Sequence, residues 1–498
     1  MIDALKPVET QCNFVLSIPG QNLEKDNIVF LVKNIVNGFL EEFAFLVKDE
    51  EKKLGRHKDY ETNELLGLIV LGILDETTSC RGLEDWAKDN DEKCTYILNG
   101  KKPSKSTISR FFQGRELLIE LLFDYVVKIG LTLNLIGEEH VAIDGTIIKA
   151  NVSRYKLITI EELDYLENLI NSFECWDNDL NIEVQLKKYY LDSILDEFNE
   201  SIVNEVENKL KKEAISLLTK SLLNSDEKDA VLKFIVYLKS NYDGKHTISV
   251  TDPECRWMKD KKGNTGLNYN YQVAIDDKND FIVAQKLVNA PTDHHQLIPM
   301  VELTKEKILK HPNIYTADNG YLTNEAVDYL FQEKITAIIP SRYESSRSKP
   351  KTPDNEFRKY NFDYNWSNDS YICPENKILK YQNNRKIGKD LYRVYSTLEC
   401  KKCDYLEECG NGRKREIFHL ADPLRNKMWE NYNSDWGRKI YKKRFHTGES
   451  YFGTLKESRN FRGIKRKSIK RAQMELTLQA IGHNIKKIYK HICKKLKG

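Results

Sequence analysis

The sequence predicts a mixed α/β fold, with a helical domain ahead of the core and a basic helical segment behind it. Two observations carry that prediction. Apolar, β-branched stretches of strand length recur at 140–154, 246–251, 269–275, 281–287, 314–316 and 336–339, and helical periods separate the later ones. Before residue 120 the apolar residues instead follow a 3.6-residue period. A chain of 498 residues is longer than one core serves and predicts roughly three domains. With 40% hydrophobic and 31% charged residues, it is not disordered throughout. The longest apolar run, 65–74, falls short of the ~20 residues that a bilayer span needs. No charged-then-apolar leader pattern opens the chain, so the expected location is cytoplasmic.

The net charge of +3 conceals a strong segregation. Residues 438–498 hold 19 Lys/Arg and three acidic residues, a net of +16, so the remainder sums to −13. Most of that lies in 161–207, where 14 acidic residues stand against Lys187 and Lys188, a net of −12. A basic arm on a more acidic body suggests a polyanion partner, most simply nucleic acid. A solvated helical face is the alternative.

Taken in order, residues 24–55 read as a helix with Ile28, Leu31, Val32, Ile35, Val36 and Phe39 at its apolar positions. Residues 61–75 read as a second, buried helix and 81–87 as a third. In 101–112 (KKPSKSTISRFF), hydroxyl residues and bases, among them Lys105 and Arg110, precede an apolar pair. This reads either as the start of a recognition helix or as an ordinary capped surface helix. In 140–154 (HVAIDGTIIKANVSR) the Asp144-Gly145 pair reads as a turn between two strands. Residues 160–240 read as acidic helices with turns around Asn178 and Ser225. Strands 269–275 and 281–287 make a hairpin about Asn279-Asp280. Helix 295–309, strand 314–316, helix 323–332 and strand 336–339 complete the α/β run. From 341 to 420 the sequence is polar and cysteine-bearing, and the last segment reads as basic and helical throughout.

Three carboxylates stand out. Asp144 and Asp318 each end an apolar strand, with Gly145 directly after Asp144 and Gly320 two residues after Asp318. Turns favour such residues for conformational reasons alone. Two of them ending strands of one sheet could also converge on a divalent ion, since hard cations such as Mg²⁺ take carboxylate oxygens. Glu449 supplies a third. On an ideal helix Tyr441, Arg444, Glu449 and Lys456 fall within one ~140° face. Such a face suits a site that binds metal and phosphate together. Gly448 and Gly453 weaken this helix or mark its start, and an exposed basic helix with one neutralising Glu is the alternative.

In that order, VAIDGTIIKAN, TADNGYLTNEAV and the Tyr441-Arg444-Glu449-Lys456 helix resemble the three catalytic blocks of bacterial insertion-sequence transposases of the DDE type. The resemblance covers most of the chain. HKDYETNELLGLIVLGILDETTSCRGLEDWAKDN through STISRFF resembles their helical N-terminal domain. TDPECRWMKDKKG, YQVAID and APTDHHQ resemble their core strands, and FRGIKRK with LQAIGHNIKKI their C-terminal end. The spacing departs once: four residues separate Arg444 from Glu449, where the broad signature has three.

The resemblance implies a ribonuclease-H-like core at 138–155 and 246–345, preceded by a helical DNA-binding domain at 1–120. It further implies an acidic helical insertion at 156–245, a Cys-cluster insertion at 346–420, and a basic helical segment at 421–498 that completes the core. Asp144, Asp318 and Glu449 would be the ligands of two Mg²⁺ or Mn²⁺ ions. Double-stranded DNA would be the partner, held by a homodimer. Tyr441, Arg444 and Lys456 would position DNA phosphates, and Lys105, Arg110, Arg462, Lys465 and Arg466 are further DNA-binding candidates.

Ten cysteines without a leader pattern point to reduced thiols. Four cluster as Cys373-x₂₆-Cys400-x₂-Cys403-x₅-Cys409. That set is compatible with tetrahedral Cys₄ zinc, which would help a core-poor segment fold. Similar transposases carry a comparable cluster in this insertion, and His419 is a substitute ligand nearby. Free thiols in a surface insertion are the alternative. The expected function is that of a DNA transposase which cleaves and joins DNA at its own terminal inverted repeats. An inactive DNA-binding relic or regulator, and a nuclease without strand transfer, compete with it.

Overall fold

The computed structural model describes residues 27–44, 59–153, 156–172, 225–260, 263–341, 356–365, 367–388, 390–458 and 461–497. Among the described residues six helices come first: α1 (Ile28–Glu42), α2 (Thr62–Leu74), α3 (Cys80–Asp89), α4 (Asp91–Leu98), α5 (Lys105–Phe111) and α6 (Glu116–Thr132). Side-chain caps set several of their starts. Asn27 accepts from Val29 N–H, Ser79 from Gly82 and Ser104 from Thr107, while Glu61 and Glu64 form a capping box at α2. All of α2 from Glu64 to Leu74 is buried, as its all-round apolar sequence predicts.

β1 (His140–Lys149) is one continuous strand. The expected turn at Asp144-Gly145 is absent: Asp144 pairs with Val273 and Gly145 with Gln272 in an antiparallel ladder. Space, not a turn, requires glycine at 145. A Cβ there would lie 2.5 Å from Gln272 Nε2 and 2.6 Å from Asp293 Oδ1.

β2 (Leu157–Ile158), α7 (Ile160–Ser172), α8 (Ser225–Ser240) and β3 (Ile248–Ser249) follow, with Leu163, Ile235 and Leu238 in a small core of their own. Ser225 begins α8, and the turn expected around Asn178 lies outside the described residues. The main sheet then gains β4 (Arg256–Lys259), β5 (Thr265–Asp276) and β6 (Phe281–Val288). After these come α9 (Leu297–Ile308), β7 (Ile314–Thr316), α10 (Asn324–Gln332) and β8 (Ala337–Ile338). The expected β5–β6 hairpin is present, with Asp280 in its turn at φ 52°. β5 lies antiparallel to β4, β6 and β1, and β1, β7 and β8 run parallel. β7 pairs with β1 only from His140 to Ala142, so its ladder stops short of Asp144.

The polar, cysteine-bearing stretch folds into a second sheet for which the sequence showed no strand signal. β9 (Asp363–Asn365), β10 (Ser370–Ile372), β11 (Ile378–Ile387), β12 (Asp390–Ser396) and, after α11 (Leu406–Gly410), β13 (Ile417–Leu420) form an antiparallel meander. Its core is small, built on Phe362, Tyr371, Leu379, Tyr395 and Ile417. Nearly all of β11 is exposed, so no apolar alternation marks it as a strand.

The C-terminal segment is not helical throughout. α12 (Pro423–Asn433) and α13 (Asp435–Gly453) lead into one π turn, Thr454–Ser458, and residues 461–468 leave the helix before α14 (Ile469–Lys497). Carboxylates capture the backbone donors of that loop. Glu475 accepts from Lys465 and Arg466 N–H at 3.0 and 3.2 Å, and Asp252 accepts from Ser468 N–H at 3.2 Å. Glu254 caps α14 by accepting from Ile469 N–H at 2.8 Å. α14 is buried through Ile481, Ile485 and Ile488 in one apolar cluster that runs from α1 through the main sheet. Among the described residues, no helix is long and apolar enough to cross a membrane.

Candidate active site

Three elements meet at Asp144. The strand β1 supplies Asp144 itself, the loop after β7 supplies Asp318, and α13 lies across both. The approach of α13 depends on Gly448, where a Cβ would stand 3.0 Å from Asp144 Oδ2. Arg444, one turn earlier, places Nη2 2.9 Å from Asp144 Oδ1 and 3.9 Å from Asp318 Oδ2. Asp144 and Arg444 are buried, whereas the Asp318 side chain is 39% exposed, so the pair opens to solvent on the Asp318 side. Local hydrogen bonds fix both carboxylates. Asp144 Oδ1 accepts from Gly145 N–H at 3.0 Å, and Asp318 Oδ1 accepts from Gly320 N–H at 2.8 Å.

Burial raises the pKa of Asp318, and the Asp293 and Asp144 charges add to the rise against the opposing pull of Arg444 and the Gly320 N–H. Burial works against the charge of Arg444, but Asp144, Tyr441 and Asp318 outweigh it and hold the guanidinium above its ordinary value. Tyr441, buried beneath Arg444 with its ring 5.9 Å from Cζ, is pushed up to about 12, chiefly by burial. The two aspartates thus share one cation already, and their hard oxygens suit a divalent ion in the same cleft. Among the described residues, no three His, Cys, Asp or Glu side chains stand close enough together to hold a metal ion.

Glu449 follows Gly448 on α13, and its side chain lies outside the described residues. Lys456 sits in the π turn rather than on α13, so the ideal-helix angle does not apply to it. Its Nζ donates to Thr146 Oγ1 at 2.5 Å and to Ile147 O at 3.3 Å, alongside β1. Lys105 and Arg110 are exposed on α5, away from this cleft's hydrogen bonds: Lys105 N–H meets Glu84 Oε2 at 3.1 Å and Arg110 Nε meets Ser106 O at 3.3 Å. In the 461–468 loop Arg462 is exposed, Lys465 Nζ lies 2.5 Å from Thr78 Oγ1, and Arg466 stacks 3.8 Å above the Phe112 ring. Lys465 and Arg466 therefore tie the loop to the N-terminal helices.

Asn270, Gln272, Asp293 and Tyr321, none of which stood out as a site residue in the sequence, pack behind Asp144. A signal was present: Asn270 and Gln272 put two amides on one face of an otherwise apolar buried strand.

The four clustered cysteines are free and half-buried. Cys373, Cys400 and Cys403 each act electrostatically on Cys409, and Lys377, whose N–H lies 3.2 Å from Cys373 Sγ, has its pKa raised chiefly by a side-chain hydrogen bond with Cys403. The thiols share one neighbourhood without closing into a tetrahedral set. His419 is engaged elsewhere, with Nδ1 3.0 Å from Tyr371 Oη and Nε2 2.9 Å from Asn426 Oδ1.

Residues 372–489 match a family model described as a transposase DDE domain. That match supports a DDE-type transposase. The matched DDE-domain segment contains α13 with Arg444 and Glu449 and most of the cysteine-bearing sheet, and it begins after Asp144 and Asp318. No curated protein matches the chain.

Proposed function

We propose that this protein is a DNA transposase that binds the terminal inverted repeats of its own mobile element and cleaves and joins DNA there. The observation that carries the reading is the meeting of Asp144 and Asp318, distant in sequence, across one guanidinium of the helix inside the matched segment. The strand arrangement, three antiparallel neighbours followed by β7 and β8 parallel to β1, supports a ribonuclease-H-like core. Asp144, Asp318 and Glu449 are the proposed ligands of two Mg²⁺ or Mn²⁺ ions. Bound there, such ions would supply activation of an attacking water or 3′-hydroxyl and charge stabilisation for the leaving oxygen.

The chain's own groups have separate tasks in this reading. Arg444 and Tyr441 are buried, so in place of the DNA phosphates expected from the sequence Arg444 holds the two aspartates together and Tyr441 packs beneath it. Lys456 and Arg462 present positive charge beside β1 for DNA phosphates. Lys105, Arg110, Lys465 and Arg466 extend that surface, and a homodimer holds the DNA ends. Cys373, Cys400, Cys403 and Cys409 are proposed to bind a structural Zn²⁺. Metal analysis of protein purified without chelator tests this, and zinc well below one equivalent removes the site.

A labelled duplex carrying the inverted repeat that flanks the coding frame, incubated with protein and Mg²⁺, tests the main proposal. Nicking at the repeat end followed by joining to target DNA is the expected result. Nicking without joining identifies a nuclease, and binding without either identifies an inactive regulator.

A further inference from the structure

We infer that Asp293 is a positioning residue of this site, locking the reverse face of β1 behind Asp144 to the turn that carries Asp318. The inference rests on the reading of Asp144 and Asp318 proposed above. Asp293 stands in the loop between β6 and α9. Its Oδ1 accepts from Asn270 Nδ2 at 2.9 Å and from Gln272 Nε2 at 2.7 Å. Gln272 Nε2 also reaches Asn270 Oδ1 at 2.9 Å, and Gln272 Oε1 accepts from the Tyr321 hydroxyl. Asn270, Gln272 and Tyr321 are all buried. Buried amides left without an acceptor are costly, so the Asp293 carboxylate is what makes this cluster stable.

The cluster closes on Gly145. A Cβ at 145 would meet Gln272 Nε2, Asp293 Oδ1 and, at 3.0 Å, Tyr321 Oη. On its other side Asp293 lies against Gly320, where a Cβ would be 3.6 Å from Asp293 Cβ. One side chain therefore touches the glycine next to Asp144 and the glycine two residues after Asp318. Successive residues of a strand face opposite sides, so Asp293, packed where a Gly145 Cβ would be, supports β1 from the face opposite the Asp144 side chain, and its charge also acts on Asp318. Outer-layer partners of metal ligands typically change metal affinity or activity 10- to 100-fold when removed.

The test uses the full chain, with Mn²⁺ affinity measured calorimetrically and Mg²⁺-dependent cleavage of the repeat-end duplex. Asp293→Leu is expected to weaken Mn²⁺ binding about 10- to 100-fold and to lower kcat similarly, with KM for DNA unchanged. Asp293→Asn keeps an oxygen for both amides and is expected to recover most of both losses. Gln272→Leu, which removes the other half of the contact, should reproduce the effect and serves if Asp293→Leu does not fold. A lowered Tm with Mn²⁺ affinity and kcat as in wild type would make the cluster merely structural and overturn the inference. Asp144→Asn is the control. If it too binds Mn²⁺ and cleaves like wild type, or if wild type does neither, the reading of the site fails. If Asp144→Asn is inactive while Asp293→Leu matches wild type, only the inference about Asp293 fails.

Discussion

At Gly448 the absence of one methyl group lets a helix rest on a carboxylate. A Cβ there would lie 3.0 Å from Asp144 Oδ2 and 3.2 Å from Asp144 Cβ, so Gly448→Ala must push α13 away by a few tenths of an ångström. Misplacement by 1 Å costs about 10²-fold in rate, and a smaller shift is expected to slow DNA cleavage by about tenfold. Gly453 has nothing within 4 Å of its missing Cβ. Gly453→Ala is expected to leave cleavage unchanged and to raise stability by up to ~1 kcal/mol. Equal cleavage rates in the two variants would detach α13 from the site. Glu475 offers a test by pH. Burial, against the opposing pull of the Lys465 and Arg466 N–H groups and charges, raises its folded pKa above the ordinary value of about 4.3. The folded state thus binds this proton more tightly than the unfolded chain does. The resulting stabilisation is full below about pH 4.3 and is lost as pH rises through the folded value. Glu475→Gln removes that titration. The urea-midpoint stability of wild type relative to the variant should therefore fall across this window and then level off. A constant difference would show that burial does not govern Glu475. At this scale the proposed site residues Asp144 and Asp318 could be picked out because each follows a short apolar run and precedes a glycine by one or two residues. Gly145 was misread, because Asp-Gly is a turn signal and the side chains crowding it come from β5, the loop after β6 and the turn after β7.

Among the elements, those with strong periodicity were legible nearly to their ends: α2, the β5–β6 hairpin, β7 and α10 all lie where the pattern put them. The second sheet was not, because β11 is exposed on both faces and its small core is aromatic and scattered. The 461–468 loop was hidden for another reason. Its lysines and arginines favour a helix, and the partners that pull its backbone away, Asp252 and Glu475, lie elsewhere in the chain. Close packing of α6 on β6 gives a prediction at this scale. A Cβ at Gly130 would lie 2.7–3.1 Å from three atoms of the Phe281 ring. Gly130→Ala should destabilise the protein by about 1–3 kcal/mol, read from urea unfolding, because the ring is fully buried and has no room to give. An unchanged urea midpoint would mean that the two elements are not packed as described.

Over the whole molecule, the near-neutral charge was legible only as a cancellation between a −12 and a +16 segment. The fold sets the basic segment beside β1 through Lys456 and seats α14 in the same core as the N-terminal helices. DNA affinity should therefore fall linearly on a log–log plot against salt, with a slope set by the number of phosphates contacted. A slope near zero would exclude the basic surface as the contact. The proposed chemistry rests on Asp144, Asp318 and Glu449. Its most direct test is the Mg²⁺-dependent cleavage rate of repeat-end DNA by Asp144→Asn, Asp318→Asn and Glu449→Gln, each measured beside its DNA affinity. All three variants are expected to lose cleavage to the detection limit while binding DNA as wild type does, whereas a wild-type rate in any one of them removes that residue from the chemistry.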